Sequence, residues 1–219
     1  METLDVEQAR SNMVEQQIRT WDVLDQRVLD LLFRVKRERF VPPQWRALAF
    51  VDLELPLGGR ARMWSPRMEA RVLQELVLGP SDRVLEIGTG SGYFAALMAS
   101  LAREVVTVEI DPPLADSART RLARMGFANV RVETGDGAQG WGSESYDAVV
   151  LTGSTPIVAE ALLDQVLPGG RLFAVVGDAP AMKARIIRWD TPGSRRSVDL
   201  FETVVEPLVH APSPDRFRF

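Results

Sequence analysis

The chain has 219 residues, of which 46% are hydrophobic and 26% charged, and this composition suits one large domain, or a domain with an added segment, around a normal core. Its net charge of −4 argues against nucleic-acid binding through a basic surface, and the absence of cysteine excludes disulfides, thiol nucleophiles and zinc–thiolate sites. The single histidine, His210, argues against a Ser-His-Asp triad and a multi-histidine metal centre, so we expect no metal site.

The sequence shows no targeting or membrane segment. The first residues, METLDVEQAR, are acidic and polar, unlike a signal peptide. The longest apolar stretches, such as residues 94–99, are too short to span a bilayer. We therefore expect a soluble, cytoplasmic protein with no membrane partner and no nucleic-acid partner, and the sequence leaves its oligomeric state open.

Residues 1–55 are predicted to form a helical segment that packs on a main domain of residues 56–219. A helix is expected around Val6–Arg19, and a second should begin after an N-cap at Asp25 and stop near Phe40, before a Val-Pro-Pro sequence. The segment is too small to have a core of its own, so it should cover part of the main domain.

The main domain should begin with a helix from Ser65-Pro66 to Gly79-Pro80, after which strands and helices alternate. The predicted strands are Arg83–Ile87, Val105–Ile110, Val130–Glu133, Tyr146–Thr152 and Arg171–Val176. The predicted helices between them are Tyr93–Leu101, Pro113–Met125 and Val158–Leu167. Two further strands, Ala184–Trp189 and Ser197–Val205, flank a Pro-Gly turn. The pattern predicts an α/β, Rossmann-like, doubly wound and mostly parallel sheet with a C-terminal antiparallel hairpin and an N-terminal helical cap.

A glycine-rich loop follows the first strand of this alternation. Gly88, Gly90 and Gly92 permit a tight turn and close approach of a ligand, and the helix that follows offers free N–H groups to an anionic group. The alternative is an ordinary strand-to-helix turn. The G-x-G-x-G spacing and the preceding Glu86 disfavour a dinucleotide, and hence a nicotinamide dehydrogenase, because a carboxylate there would repel a pyrophosphate. They favour a ligand with both positive charge and a carboxylate, such as S-adenosylmethionine.

Two further acids follow the next strands. Glu109 ends the second strand, where it could accept both ribose hydroxyls, and Asp136 follows the third, where it could meet an adenine amino group. Either acid alone could be a solvated loop carboxylate, but the carboxyl ends of parallel strands meet at one edge, where such sheets bind ligands. The predicted cofactor-binding residues are Glu86, Gly88, Thr89, Gly90, Gly92, Glu109, Asp136 and Gly137.

From Met13 to Val176 the chain resembles the protein-L-isoaspartate O-methyltransferase family, within the class I S-adenosylmethionine-dependent methyltransferases. The matching segments are MVEQQIR from Met13, RERFVP from Arg37, LPLG from Leu55, LEIGTGSGY from Leu85 and GDG from Gly135. The resemblance implies S-adenosylmethionine as cofactor and methyl transfer to the free carboxylate of an isoaspartyl residue in a protein or peptide. A carboxylate is ionised at neutral pH and needs no general base, so alignment and exclusion of water would provide most of the catalysis.

The chain departs from the family in the loop that should bind the acceptor. The family usually follows this LPLG-type segment with GQTISQP, whose Thr and Ser hydroxyls line the acceptor site. Here the sequence is GRARMWSP, from Gly59 to Pro66. Aligned at the shared final proline, it has Arg62 at the position of the Thr, Trp64 at that of the Ser and Ser65 where Gln is usual. In one interpretation Arg62, or Arg60, pairs with an anionic acceptor and Trp64 stacks on it.

In the other interpretation the arginines are solvated and Trp64 packs over the cofactor pocket. We take Arg62, Trp64 and Ser65 as the candidate catalytic residues. The acceptor would be an isoaspartyl protein or peptide, another carboxylate or a small acidic metabolite, and a non-catalytic cofactor-binding module is a further alternative. Ser154, after the fourth strand, is a weaker acceptor-site candidate, and His210 is expected on a surface tail.

Overall fold

The computed structural model describes residues 5–191 and 194–214 of the chain. Its strands are β1 (Leu55–Gly58), β2 (Ala61–Met63), β3 (Arg83–Ile87), β4 (Glu104–Glu109), β5 (Val130–Thr134), β6 (Tyr146–Thr155), β7 (Val166–Asp178), β8 (Ala181–Thr191) and β9 (Ser194–Glu202). Its α-helices are α1 (Val6–Asn12), α2 (Gln26–Arg34), α3 (Pro66–Leu76), α4 (Tyr93–Ala99), α5 (Pro112–Arg124) and α6 (Glu160–Asp164). Short π or 3-10 helical turns lie at Met13–Ile18, Arg19–Trp21, Arg37–Arg39 and Pro43–Leu48.

One seven-stranded sheet forms the centre of the fold, in the order β5-β4-β3-β6-β7-β8-β9. The strands from β5 to β7 are parallel, and β8 and β9 continue the sheet as antiparallel neighbours. The predicted mostly parallel α/β fold with a C-terminal antiparallel hairpin is therefore confirmed. The turn Pro192-Gly193, predicted between the last two strands, lies outside the described residues, as does the tail from residue 215.

Alternate residues of the strands enter two separate hydrophobic clusters, as the period of a β-strand requires. In β6, Ala148 and Val150 pack with residues of α3, α4 and the N-terminal segment, whereas Val149 and Leu151 pack with residues of α6 on the opposite face. The first cluster also contains buried residues of α2, such as Leu32. The sheet is thus covered on both faces, and the N-terminal helices share the core on one of them.

The N-terminal segment is helical, but less continuous than the sequence indicates. The first helix changes after Asn12 into a π-helical turn and then a 3-10 turn that ends at Trp21. Asp25 caps α2, because its side chain accepts the N–H of Arg27 at 2.9 Å, but α2 stops at Arg34 rather than near Phe40. In the part of the chain that the structure describes, no helix is long and apolar enough to cross a membrane.

Tertiary pairing moves several predicted boundaries. Strand β7 begins at Val166, earlier than Arg171, because Val166 pairs with Tyr146 of β6. Helix α3 ends at Leu76, since Val77 adopts a left-handed conformation with φ of 48° before Gly79-Pro80 is reached. Residues 55–63, which local composition leaves without secondary structure, form the antiparallel hairpin β1–β2.

Candidate active site

A cavity of about 260 Å³ lies at the carboxyl edge of the parallel strands. Its walls come from the β1–β2 hairpin, the loops after β3, β4 and β5, and the chain segment that follows β9. The residues that line the cavity include Glu54, Arg60, Arg62, Trp64, Glu86, Gly88, Glu109, Asp136, Glu206 and Leu208. Most of the residues predicted for cofactor binding therefore meet in one place.

The backbone of the glycine loop is shaped by its neighbours. Gly88 has φ of 101°, and a Cβ at this position would overlap the hydroxyl of Thr152, which donates to the Gly88 carbonyl at 2.6 Å. Gly90 has φ of 53°, and its N–H donates to Glu109 at 2.9 Å. A side chain at Gly88 is therefore excluded by both sterics and backbone conformation, and the loop backbone stays open to the cavity.

Glu86 is a fully buried carboxyl group at the base of this cavity. The hydroxyl of Thr107 donates to its Oε2, and Thr89 in turn contacts Thr107 at 2.7 Å between hydroxyl oxygens. Its Oε1 is buried and has no hydrogen-bond partner among the residues that the structure includes. Burial raises the pKa of Glu86 to about 8, which the Thr107 hydrogen bond opposes and the nearby charge of Glu109 reinforces. An unpaired buried acceptor fits a cationic donor such as an ammonium group.

Glu109, at the end of β4, is held by the backbone. Its Oε2 accepts the N–H of Gly90 at 2.9 Å, and its Oε1 accepts the N–H of Asp111 at 3.1 Å. Because each carboxylate oxygen can accept a second hydrogen bond, two acceptor positions remain. A fixed carboxylate with paired acceptors is suited to two vicinal hydroxyls, which agrees with the ribose-binding role predicted from its position.

Asp136, after β5, has a hydrogen-bond partner on each of its carboxylate oxygens. Its Oδ1 accepts the N–H of Ala138 at 3.0 Å, and its Oδ2 lies 2.7 Å from Nδ1 of His210. The Ala138 bond, and to a lesser extent the His210 contact, hold the pKa of Asp136 below its usual range. His210 is exposed, as predicted from the sequence, but its ring contacts a predicted cofactor residue and does not lie on a free tail.

The other predicted cofactor residues occupy two different environments. Thr89 and Gly137 line the cavity, and a Cβ on Gly137 would lie 2.6 Å from the Ile87 side chain, which would have to shift to make room for it. Gly92 does not line the cavity. It begins α4 and packs against Leu122 of α5, where an added Cβ would come within 3.2 Å. Its predicted contact with the cofactor therefore has no support from the cavity lining.

The hairpin β1–β2 places one arginine at the cavity. Arg62 is exposed and lines the cavity beside Glu54. Within residues 5–191 and 194–214, its guanidinium makes no hydrogen bond or ion pair. Partial burial raises the pKa of Glu54, which Arg62 opposes and the carboxylate of Glu206 reinforces. Arg62 is thus a cation that remains available to an anionic acceptor.

The other two candidate catalytic residues have different surroundings. Trp64 lines the cavity but is buried, with its ring centroid 5.4 Å from that of Phe94 and 6.0 Å from that of Phe173. It is a packing residue that also forms part of the cavity wall. This agrees with the interpretation in which Trp64 packs over the cofactor pocket. Ser65 occupies the N-cap position of α3 without a capping hydrogen bond and is not among the cavity-lining residues. The structure therefore gives Ser65 no contact with the site.

The remaining arginines of this stretch have partners. Arg60 donates from Nε and Nη2 to one carboxylate oxygen of Glu206, at 3.1 and 2.9 Å, and both residues line the cavity. Arg67 pairs with Asp52 at 2.8 Å and lies over the ring of Trp21, with its guanidinium carbon 4.6 Å from the ring centroid. Ser154, the weaker candidate, is buried, and its hydroxyl donates to the carbonyl of Val205 at 3.0 Å.

Sequence reasoning missed the segment after β9 and the cavity residue Glu54. Val205 and Leu208 form part of the cavity wall although they follow the last strand. One sign in the sequence is the pair Leu208-Val209, which adds apolar residues beyond the end of the predicted hairpin at Val205. Local patterns cannot show which part of the fold this segment contacts, because its hydrogen-bond partner, Ser154, lies about 50 residues earlier in the chain.

Comparisons with known proteins agree with this geometry. The model of the family described as protein-L-isoaspartate(D-aspartate) O-methyltransferase matches residues 8–210. A protein-L-isoaspartate O-methyltransferase of Methanoculleus marisnigri is 44% identical over 178 residues, which cover 81% of each chain. One of Gloeobacter violaceus is 40% identical over 197 residues, which cover 90% of this chain and 96% of the relative.

Solved structures share the fold. A protein from Plasmodium falciparum, described as a putative protein-L-isoaspartate O-methyltransferase in complex with S-adenosyl-L-homocysteine, superposes with a TM-score of 0.78 at 19% identity, over 92% of this chain and 98% of that one. A second structure, described as protein-L-isoaspartate O-methyltransferase, gives a TM-score of 0.79 at 23% identity, over 93% of this chain and 67% of that one. At these identities the likeness establishes the fold alone.

Proposed function

Because the chain belongs to the protein-L-isoaspartate O-methyltransferase family, we propose that it transfers a methyl group from S-adenosylmethionine to a carboxylate, with an isoaspartyl residue of a protein or peptide as the acceptor. One observation carries the proposal. Glu86, whose buried Oε1 has no partner in the described part of the chain, and the exposed Arg62 both line the same cavity. A cationic cofactor and an anionic acceptor would therefore meet in a single site.

The cofactor half of the site would be held by three acids. Glu86 would accept from the cofactor's ammonium group, Glu109 from the ribose hydroxyls, and Asp136 from the adenine amino group. Gly88 and Gly90 carry no side chain toward the cavity, so the backbone at these two positions can approach the ligand closely. Glu86 gains most from this arrangement, because a cation stabilises its ionised form, which burial alone disfavours.

The acceptor half would rely on charge and alignment. S-adenosylmethionine, once bound, would supply an electrophilic methyl group for transfer to a carboxylate oxygen of the acceptor, with S-adenosylhomocysteine as the other product. Arg62 would hold the acceptor carboxylate through its planar set of donors. Trp64, supported by Phe94 and Phe173, would form an apolar wall that excludes water from the reacting groups. No side chain has to remove a proton.

The direct test uses labelled S-adenosylmethionine with an isoaspartyl peptide and the matched aspartyl peptide. We expect a base-labile methyl ester on the isoaspartyl peptide only. Calorimetry with S-adenosylhomocysteine tests the cofactor half separately. Normal cofactor binding without ester formation on the isoaspartyl peptide would contradict the acceptor assignment, and failure to bind S-adenosylhomocysteine would contradict the cofactor assignment.

A second acceptor class is a small acidic metabolite. The availability of Arg62 favours it, since an unpaired guanidinium can bind any accessible carboxylate. A panel of mono- and dicarboxylic acids in the same assay separates the two classes. A non-catalytic cofactor-binding module would methylate neither class while binding the cofactor. The cytoplasmic location and the absence of a nucleic-acid partner stay predictions of the sequence.

A further inference from the structure

The segment that follows β9 forms a strap across the site; we define the C-terminal strap as residues 203–211. Two backbone bonds attach it to the end of β6: the N–H of Ser154 donates to the carbonyl of Glu206, and the N–H of Leu208 donates to the carbonyl of Ser154, both at 2.9 Å. The side chain of Leu208 lies against Gly88 of the glycine loop. The strap is therefore a fixed wall of the cavity.

The strap brings His210 to the loop after β5. Its Nδ1 lies 2.7 Å from Oδ2 of Asp136, although the two residues are 74 positions apart in the chain. His210 adopts φ of 60°, in the left-handed region, which is uncommon for residues other than glycine although histidine adopts it more often than most. Unusual backbone conformations of this kind concentrate at functional sites, where the surrounding structure maintains them.

The hydrogen bonds of Asp136 define what the histidine does. An ionised carboxylate only accepts, so the Nδ1 of His210 must carry the proton and donate to Oδ2. The N–H of Ala138 donates to Oδ1 at 3.0 Å. With one donor on each oxygen, the carboxylate is fixed in orientation and keeps one further acceptor position on each oxygen. Asp136 lines the cavity, so these positions are available to a ligand there.

We infer that His210 is a positioning residue of the cofactor site, which holds the Asp136 carboxylate in place to accept the amino group of the adenine ring. The inference rests on the proposed function, because it assumes that Asp136 meets the adenine. The His210 side chain is 69% exposed and that of Asp136 42%, so their contact adds little to the stability of the fold. Its effect should therefore appear in ligand recognition.

The test compares two ligands in calorimetry: S-adenosylhomocysteine and its deaminated analogue S-inosylhomocysteine, which has a carbonyl in place of the amino group. His210→Ala should weaken S-adenosylhomocysteine binding roughly tenfold, with little change for the inosyl analogue. His210→Asn, whose side-chain amide can donate to Oδ2, should recover most of the loss. Glu202→Gln, an exposed change at the end of β9, is the control and should alter neither affinity.

The outcomes separate the inference from the proposed function. Equal losses for both ligands in His210→Ala would mean general damage to the strap and would overturn the positioning role. Unchanged affinity for S-adenosylhomocysteine would overturn it as well, as would a His210→Asn variant as weak as His210→Ala. In these cases the wild-type protein still binds S-adenosylhomocysteine, so the proposed function stands. If the wild-type protein does not bind it, the proposed function and this inference both fail.

Discussion

Nη2 of Arg37 donates a hydrogen bond of 2.7 Å to the backbone carbonyl oxygen of Trp64. The same buried guanidinium donates from Nε to the carbonyl of Ala49 at 2.9 Å and forms an ion pair with Glu69 of α3. Burial raises the pKa of Glu69, and the charge of Arg37 opposes that rise. One residue of the N-terminal segment therefore fixes the junction between the acceptor hairpin and the helix that follows it.

Replacement of Arg37 should destabilise the whole fold. Arg37→Met leaves the buried Glu69 carboxyl and the Trp64 carbonyl without their donor, and we expect the free energy of unfolding to fall by about 3–5 kcal/mol. Urea denaturation at pH 7 measures this change. Adding Glu69→Leu removes the orphaned acid and should restore part of the loss. A single variant within about 1 kcal/mol of wild type would show that the buried pair contributes little.

Replacement of Arg62 should weaken acceptor binding and leave the cofactor unaffected. Arg62→Thr removes the exposed guanidinium at the cavity, and we expect KM for an isoaspartyl peptide to rise roughly ten- to a hundredfold, as for a lost charged hydrogen bond. Calorimetry should show unchanged affinity for S-adenosylhomocysteine. Arg67→Thr is the matched control, because Arg67 pairs with Asp52 away from the cavity.

An unchanged KM in Arg62→Thr would remove the residue from the acceptor site. The variant is a cleaner probe than a change at Trp64, which packs on Phe94 and Phe173. Truncation of Trp64 would leave a cavity in the core and lower the free energy of unfolding by about 3–5 kcal/mol. This loss of stability would obscure any effect on acceptor binding.

The cofactor-free protein should lose stability as pH rises, because of Glu86. Its pKa of about 8 in the folded state lies above the value of 4.5 for an unperturbed glutamate, so folding favours the protonated carboxyl. This contribution is complete below pH 4.5 and disappears as pH rises through about 8. Thermal unfolding between pH 5 and pH 9 without cofactor measures the slope.

Glu86→Gln separates stability from binding at the same position. The neutral amide cannot ionise, so the variant should show a shallower loss of stability with pH than wild type. It should also bind S-adenosylhomocysteine more weakly, by roughly tenfold or more, because the ammonium group loses a charged acceptor. A variant with wild-type affinity would exclude Glu86 from the cofactor site.

Alanine at Gly88 should abolish cofactor binding by closing the loop. The added Cβ would overlap the hydroxyl of Thr152, and the φ of 101° is itself unfavourable for alanine. Gly126→Ala is the control for backbone strain alone, since Gly126 has φ of 83° with nothing within 4 Å of an added Cβ. We expect that control to lose about 1–2 kcal/mol of stability and to keep its affinity for S-adenosylhomocysteine. Equal affinities in the two variants would contradict the crowding argument.

The sequence by itself determined the sheet and the cofactor edge. Strands with a period of two, separated by helical runs, allow few arrangements, and β3 falls on Arg83–Ile87 as predicted. Since parallel strands end at one edge, Glu86, Glu109 and Asp136 had to approach each other once the strands were identified. Each of these inferences uses information that is local in the chain.

Only the tertiary structure decided what the arginine-rich stretch does. Arg60 pairs with Glu206, which lies 146 residues away in the chain, and Arg37 bonds to Trp64, which lies 27 residues away. Local composition therefore could not show which guanidinium of this stretch has no partner among the described residues. The structure leaves Arg62 at the cavity and buries Trp64 in the core. In the same way, the strap carries His210 to Asp136. Such pairings depend on which distant segments folding brings together. Neither the hydrophobic period of an element nor a short motif contains that information.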